Sequence, residues 1–98
     1  MAGHYTYGHE VNVFQPCGSP LVYWVHGPDD IMSELKAAHE SITTAPYESI
    51  YVRLSGEIGE LPPEYRDGFA VDYDGLLTVR AVFDTRSKLD SDCSEAAQ

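Results

Sequence analysis

Ser49-Ile50-Tyr51-Val52-Arg53-Leu54-Ser55-Gly56-Glu57-Ile58 is the stretch that decides the fold class of this chain. Ile50, Val52 and Leu54 fall on one side of a period of two, and Tyr51, Arg53, Ser55 and Glu57 fall on the other. That alternation is the mark of a strand with one face buried and one face toward solvent. A buried strand needs partners, and the rest of the chain supplies candidates. Gly3 to Phe14 carries Tyr5, Tyr7, His9, Val11 and Val13 at the same period, with Gly8 in its interior as a point of bulge or sharp bend. Leu21 to His26 reads Leu-Val-Tyr-Trp-Val-His, a short β-branched and aromatic run.

Between these strands lies one helical signal. Pro28 suits a first helical position, Asp29 and Asp30 place carboxylates at the positive end of the helix dipole, and Ile31, Leu35, Ala38 and Ile42 follow helical spacing. Downstream, Gly59 to Asp67 with Pro62 and Pro63 reads as a loop. Gly68 to Tyr73 and Leu76 to Phe83 flank an Asp74-Gly75 pair, a strong hairpin signal. Beyond Asp84 the periodicity dissolves. The reading is one mostly β domain over residues 2–84, a small barrel or strongly curved sheet of five strands with one α-helix, followed by a polar C-terminal tail over residues 85–98.

Bulk composition narrows the function. At 98 residues the chain holds one core, and 43% hydrophobic residues are enough to form it. Six basic residues against sixteen acidic ones give a formal charge of -10, and the six are scattered. Such a surface repels phosphate backbones, so nucleic-acid binding is not expected. No stretch approaches the ~20 apolar residues of a membrane span, and Met1 to Glu10 shows no targeting signal.

Cys17 and Cys93 stand 76 positions apart, one in a Pro-Cys-Gly-Ser turn and one in the polar tail. They are either two redox-silent thiols or one bridge, and the polar neighbours Ser91, Asp92 and Ser94 weigh against burial and for pairing. A bridge would tether the tail through Cys93 and imply an oxidising compartment.

The order of motifs resembles a known family. Phe14-Gln15-Pro16-Cys17, then Val22-Tyr23-Trp24-Val25, a helix, Val52-Arg53-Leu54-Ser55-Gly56 and a late Asp92-Cys93-Ser94 is similar to the C-terminal OB-type domain of NlpE. NlpE is the outer-membrane lipoprotein of bacterial envelope-stress and copper-resistance systems. The resemblance implies a five-stranded OB-like barrel, a Cys17 to Cys93 disulfide, and a periplasmic or outer-membrane location through a lipidated N-terminus that this sequence does not contain. The Cys-x-x-Cys motif of the family's other domain is absent here, so its copper and redox roles do not carry over. A standard OB barrel also sets its helix after the third strand, which this chain satisfies only if the bend at Gly8 splits the first strand in two.

Candidate chemistry is sparse. His4 and His9 are five apart and face opposite ways on a regular strand, while His26 and His39 lie in separate elements, so no metal site is expected. No nucleophile stands beside a base in a Gly-x-Ser-x-Gly turn, and Asp74 is accounted for as a turn residue, so no catalytic residues and no cofactor are expected. Aromatics are abundant. Tyr23 and Trp24 point to opposite sides of their strand, leaving one near solvent, and with Tyr51 and Arg53 they form the candidate binding set. The expectation is a monomeric, non-enzymatic envelope domain for protein binding or stress sensing. The alternatives are small-molecule or oligosaccharide binding through the barrel face, or binding of copper or zinc.

Overall fold

A computed structural model of the protein describes residues 1–8, 11–45, 47–65, 73–89 and 91–93. Its elements are β1 (Ala2–Gly8), β2 (Val11–Pro16), β3 (Tyr23–His26), α1 (Asp29–Ile42), β4 (Ser49–Gly59) and β5 (Gly75–Ser87), with a short 3-10 turn at Pro63–Tyr65. The five strands close into a barrel in the order β1-β2-β3-β5-β4, with β4 returning to β1. All neighbours are antiparallel except β3 and β5, which run parallel.

Ser49 to Gly59 behaves as its alternation requires: Ile50, Val52 and Leu54 are fully buried. They meet Tyr5, Phe14, Val25, Leu35, Leu77 and Val79 in one core. Burying an aliphatic or aromatic side chain of this size contributes about 1.5–3 kcal/mol, so this cluster is the main support of the barrel.

The long first strand proves to be two. β1 and β2 pair antiparallel with Gly8 opposite Val11, so the chain reverses across two residues, and the helix follows the third strand. This reversal changes the parity of the buried face. A continuous strand would carry Tyr5, Tyr7, Val11 and Val13 inward, whereas the hairpin sets Tyr5 opposite Phe14 and Tyr7 opposite Asn12. Phe14 therefore enters the core with Tyr5. Asn12, drawn inward with it, accepts a hydrogen bond from Tyr5 Oη and donates to Val25 O at 3.1 Å, so its amide is satisfied. His9 lies outside the described residues.

Helix α1 runs from Asp29, with Pro28 in extended conformation at the N-cap rather than at the first helical position. Pro28 still fits there, because its carbonyl accepts the Met32 N–H at 2.9 Å and its missing N–H is not needed. The buried residues of the helix are Met32, Leu35 and His39, with Ile31 and Ile42 half-buried beside them. The buried stripe is thus turned slightly from the expected one, and Ala38 lies at its margin.

The expected Asp74-Gly75 hairpin is not formed by β5. Gly75 to Thr78 pairs with β3 along one edge, and Leu76 to Thr78 pairs with β4 along the other, which leaves that part of β5 no free edge for a further strand. Residues 68–72 lie outside the described residues. Asp74 instead braces the barrel: its N–H donates to Val22 O at 2.9 Å, and its carboxylate accepts the Val22 N–H at 2.8 Å. A Cβ on Gly75 would stand 2.6 Å from Gly59 O, so the close approach of β4 to the start of β5 requires glycine there.

Strand β5 also outruns its expected end at Phe83 and pairs through Ser87, opposite Ile50. Two irregularities interrupt its pairing with β4, leaving Arg80 and Phe83 without a direct partner in register. The latter accounts for the 61% exposure of the Phe83 side chain.

Candidate functional site

Strand β1 has two sides, and a candidate site is built against each. Its outward side carries His4, which stands opposite Tyr51 of β4. Tyr51 is in turn opposite Arg86 of β5, and the Arg86 guanidinium lies 3.9 Å from the centre of the Tyr51 ring. After β5 the chain turns back over this face. Asp92 lies there with its carboxylate fully buried: Oδ2 accepts from the Leu89 N–H at 2.8 Å and stands 2.9 Å from His4 Nε2. Its Oδ1 is 2.8 Å from Arg86 Nη1, an ion pair bent too far to count as a hydrogen bond. Burial pushes the Asp92 carboxyl up, but the Leu89 N–H, His4 and Arg86 together outweigh that and hold it below the usual carboxylate range. One residue on, Cys93 is joined to Cys17.

This corrects one premise of the sequence reading. Asp92 counted as a sign of exposure around Cys93, yet its side chain is buried and is the centre of the polar cluster. A one-dimensional pattern could not show it, since His4, Arg86 and Asp92 are brought together only by strand register.

The inward side of β1 leads to the second site. Tyr5 and Tyr7 are stacked with centroids 6.4 Å apart, and both meet the His39 ring edge-on at 5.9 Å. His39 is 3% exposed, and its Nε2 lies 2.6 Å from Glu48 O, to which it donates. Burial, with Tyr7 nearby, raises the Tyr5 phenol above its ordinary range, keeping it a neutral donor to Asn12. Beyond this pair opens a groove of about 510 Å³ between α1 and the end of β1, lined by Tyr7, Lys36, His39, Glu40, Thr43 and Thr44 among others. Lys36 Nζ sits 5.4 Å over the Tyr7 ring. Tyr47, held at φ 70 with its N–H donating to Tyr7 O at 3.0 Å, packs its ring on Gly8. A non-glycine residue with positive φ is uncommon and is kept there only by its surroundings.

The four candidate binding residues are not gathered in one place. Tyr23 is a core side chain, 9% exposed, and Trp24 is its outward neighbour, with its ring 5.8 Å from that of Tyr73. Tyr51 and Arg53 share the outward face of β4, Tyr51 beneath Arg86 and Arg53 exposed. Strands β3 and β4 are not neighbours in the barrel, so Trp24 stands apart from Tyr51 and Arg53.

One of the residues missed was within reach of a pattern argument. His39 is four residues after Leu35 and seven after Met32, the spacing of one helical face. Lys36 and Tyr7 were not, because only tertiary structure brings the helix to the end of β1. As for metal binding, among the described residues no group of three or more His, Cys, Asp or Glu side chains is placed to hold an ion.

A closed five-stranded barrel with its helix between the third and fourth strands defines an OB-type domain. The family described as the NlpE C-terminal OB domain matches residues 1–75, and the chain belongs to it. The matched region includes Cys17 and ends at the first residue of β5, so the partner cysteine is identified by the structure and not by the match. No curated protein and no solved structure matches the chain. NlpE is an envelope lipoprotein, and its OB domain is not a known enzyme family.

Proposed function

We propose that this chain is a non-enzymatic, monomeric domain of the periplasm or outer membrane that binds a protein partner in envelope-stress signalling. On this reading the outward face of β4 makes the contact, with Arg53 as its contact residue beside Tyr51. The observation that carries it is the pairing of family membership with an exposed Arg53 beside Tyr51 on β4. Arginine, tyrosine and tryptophan dominate the energetics of protein interfaces, while the polar residues around them add complementarity. The acidic balance of the chain favours a partner with a basic surface.

The test is capture from an envelope extract by the disulfide-intact domain, followed by the affinity of the captured partner for Arg53→Ala, with Trp24→Ala as a comparison on the distant strand β3. Arg53→Ala should weaken binding at least tenfold and Trp24→Ala much less. A partner bound equally well by Arg53→Ala and the wild type sinks the assignment of this face.

A second reading is favoured by the groove beside α1, whose volume is in the range of small-ligand sites. There a small molecule or saccharide would stack on Tyr7 and meet Lys36 and Glu40. A saturable titration with saccharides that Lys36→Ala abolishes would promote it above the first reading, and saturable copper or zinc binding would promote a metal role instead.

A further inference from the structure

We propose that Asp92 is a positioning residue for the Cys17–Cys93 pair: its noncovalent dock on β1 and β5 sets the two sulfurs side by side before they are joined.

The segment from Lys88 to Cys93 is not held by hydrophobic burial, since its one large apolar side chain, Leu89, is 54% exposed. Asp92 supplies the attachment instead. Its carboxylate takes the Leu89 N–H and stands 2.9 Å from His4 and 2.8 Å from Arg86, while its own N–H donates to Leu89 O at 3.0 Å. The result is a closed local turn fastened to two strands. Both fastening points are fixed independently: His4 by its place in the β1 ladder, and Arg86 by strand pairing and by the Tyr51 ring beneath it.

Cys17 is registered on the same strand. Its N–H donates to Ala2 O at 2.8 Å, extending the β1–β2 ladder one residue past Pro16. Cys17 is therefore tied at Ala2, and Asp92, the residue before Cys93, at His4, two residues apart on β1. Cys93 also sits at φ 71, a left-handed conformation that a cysteine does not adopt without help. A carboxylate buried without partners would be strongly disfavoured, so a chain segment that shifts by one residue loses the clamp as well as the cysteine alignment. The dock thus selects one register of the tail, the one that brings the thiols together.

Oxidation by glutathione disulfide makes the idea measurable. A Cys17 or Cys93 thiolate attacks glutathione disulfide, giving a mixed disulfide and one glutathione thiolate. The second protein thiolate then displaces the other glutathione, so two protein thiols become one disulfide and two glutathione molecules are formed. The equilibrium of this exchange reports the effective concentration of one cysteine at the other.

The experiment compares the wild-type chain with Asp92→Asn, and with Asp30→Asn as a remote control, in graded glutathione buffers. Asp92→Asn should lower the effective concentration tenfold or more, raising the potential by about 30 mV, with Asp30→Asn unchanged. An Asp92→Asn value within twofold of wild type overturns the proposal. A second measurement covers the case in which reduced Asp92→Asn does not fold. In Cys17→Ser/Cys93→Ser the Leu89 amide should remain protected from hydrogen exchange, showing the dock in place without the bond, and loss of that protection overturns the proposal.

Discussion

The two sides of β1 solve opposite problems. On the outward side, at His4, the chain's own tail covers the strand, and a buried carboxylate, a guanidinium over a ring and a disulfide close the surface. On the inward side, at Tyr7, the helix approaches but does not seal, and a groove of about 510 Å³ is left with a lysine at its wall. The difference is one of parity along a single strand: His4 meets the tail, and Tyr5 and Tyr7 meet the helix. It teaches that closure on the outward side depends on polar and covalent ties between distant segments, whereas the inward side depends on side-chain packing. Each can be broken without the other.

The largest effect is expected on the tied side. Cys17→Ser/Cys93→Ser should lower stability by about 4 kcal/mol, since the bridge closes a loop of some 76 residues and the chain-entropy model gives roughly that value. Urea unfolding would measure it, with a slope that rises as the unfolded chain loses its cross-link. A loss below about 1 kcal/mol would mean that the tail is held by Asp92 and its partners almost unaided, which would strengthen the contrast on one side and weaken the role of the bridge.

On the packed side, Leu35→Ala should cost about 3 kcal/mol, because a fully buried leucine leaves a cavity that its neighbours fill only in part. The same substitution should leave the glutathione equilibrium of the cysteines unmoved as long as the protein is folded. If it shifts that equilibrium as strongly as Asp92→Asn, the two sides are coupled through the barrel.

How far this contrast was legible in the sequence follows from the range of the interactions. The strand at Ser49 to Gly59 declared itself because its burial repeats at a period its own residues display. The hairpin of β1 and β2 did not, since Gly8 could mark either a bend within one strand or a reversal, and only the reversal brings Phe14 into the core opposite Tyr5. Asp74-Gly75 misled for a related reason: the dipeptide satisfies a local turn, but β5 is claimed along both edges by β3 and β4. The ends of the bridge were legible because cysteines are few. Asp92 as its neighbouring hub was not, because a carboxylate in a polar tail reads as solvated until Arg86 and His4 are seen to stand over it.

A smaller effect is expected in acid. The Asp92 carboxyl is held below its ordinary range when folded, so the folded state binds its proton less readily than the unfolded chain does. The stabilisation is therefore complete above the unfolded value, about 3.9, and is lost as pH falls from there through the folded value. Urea midpoints measured between neutral pH and pH 2 should fall in that window, and less steeply for Asp92→Asn than for the wild type. Identical slopes in the two proteins would show that other carboxylates set the acid limb and that the clamp contributes nothing there.

The smallest expected effect tests whether the groove is a site or merely part of the packing. Lys36 lies over the Tyr7 ring at 5.4 Å, half-buried, and a contact of this kind at a partly solvated position contributes about 0.5–1 kcal/mol. Lys36→Ala should therefore cost no more than that, and Lys36→Met, which keeps the apolar stem over the ring, should cost less. Both variants should retain the wild-type chemical shifts of the core beneath, since Tyr5 and His39 are held by Asn12 and Glu48 and not by the lysine. A loss of more than about 2 kcal/mol in Lys36→Met would put the ammonium among the supports of the fold. The groove would then be a consequence of how the helix is held, its lysine committed to Tyr7 and not free to meet a ligand. A loss within a few tenths would leave the ammonium without a structural role in the folded chain, its charge available to a ligand in the groove.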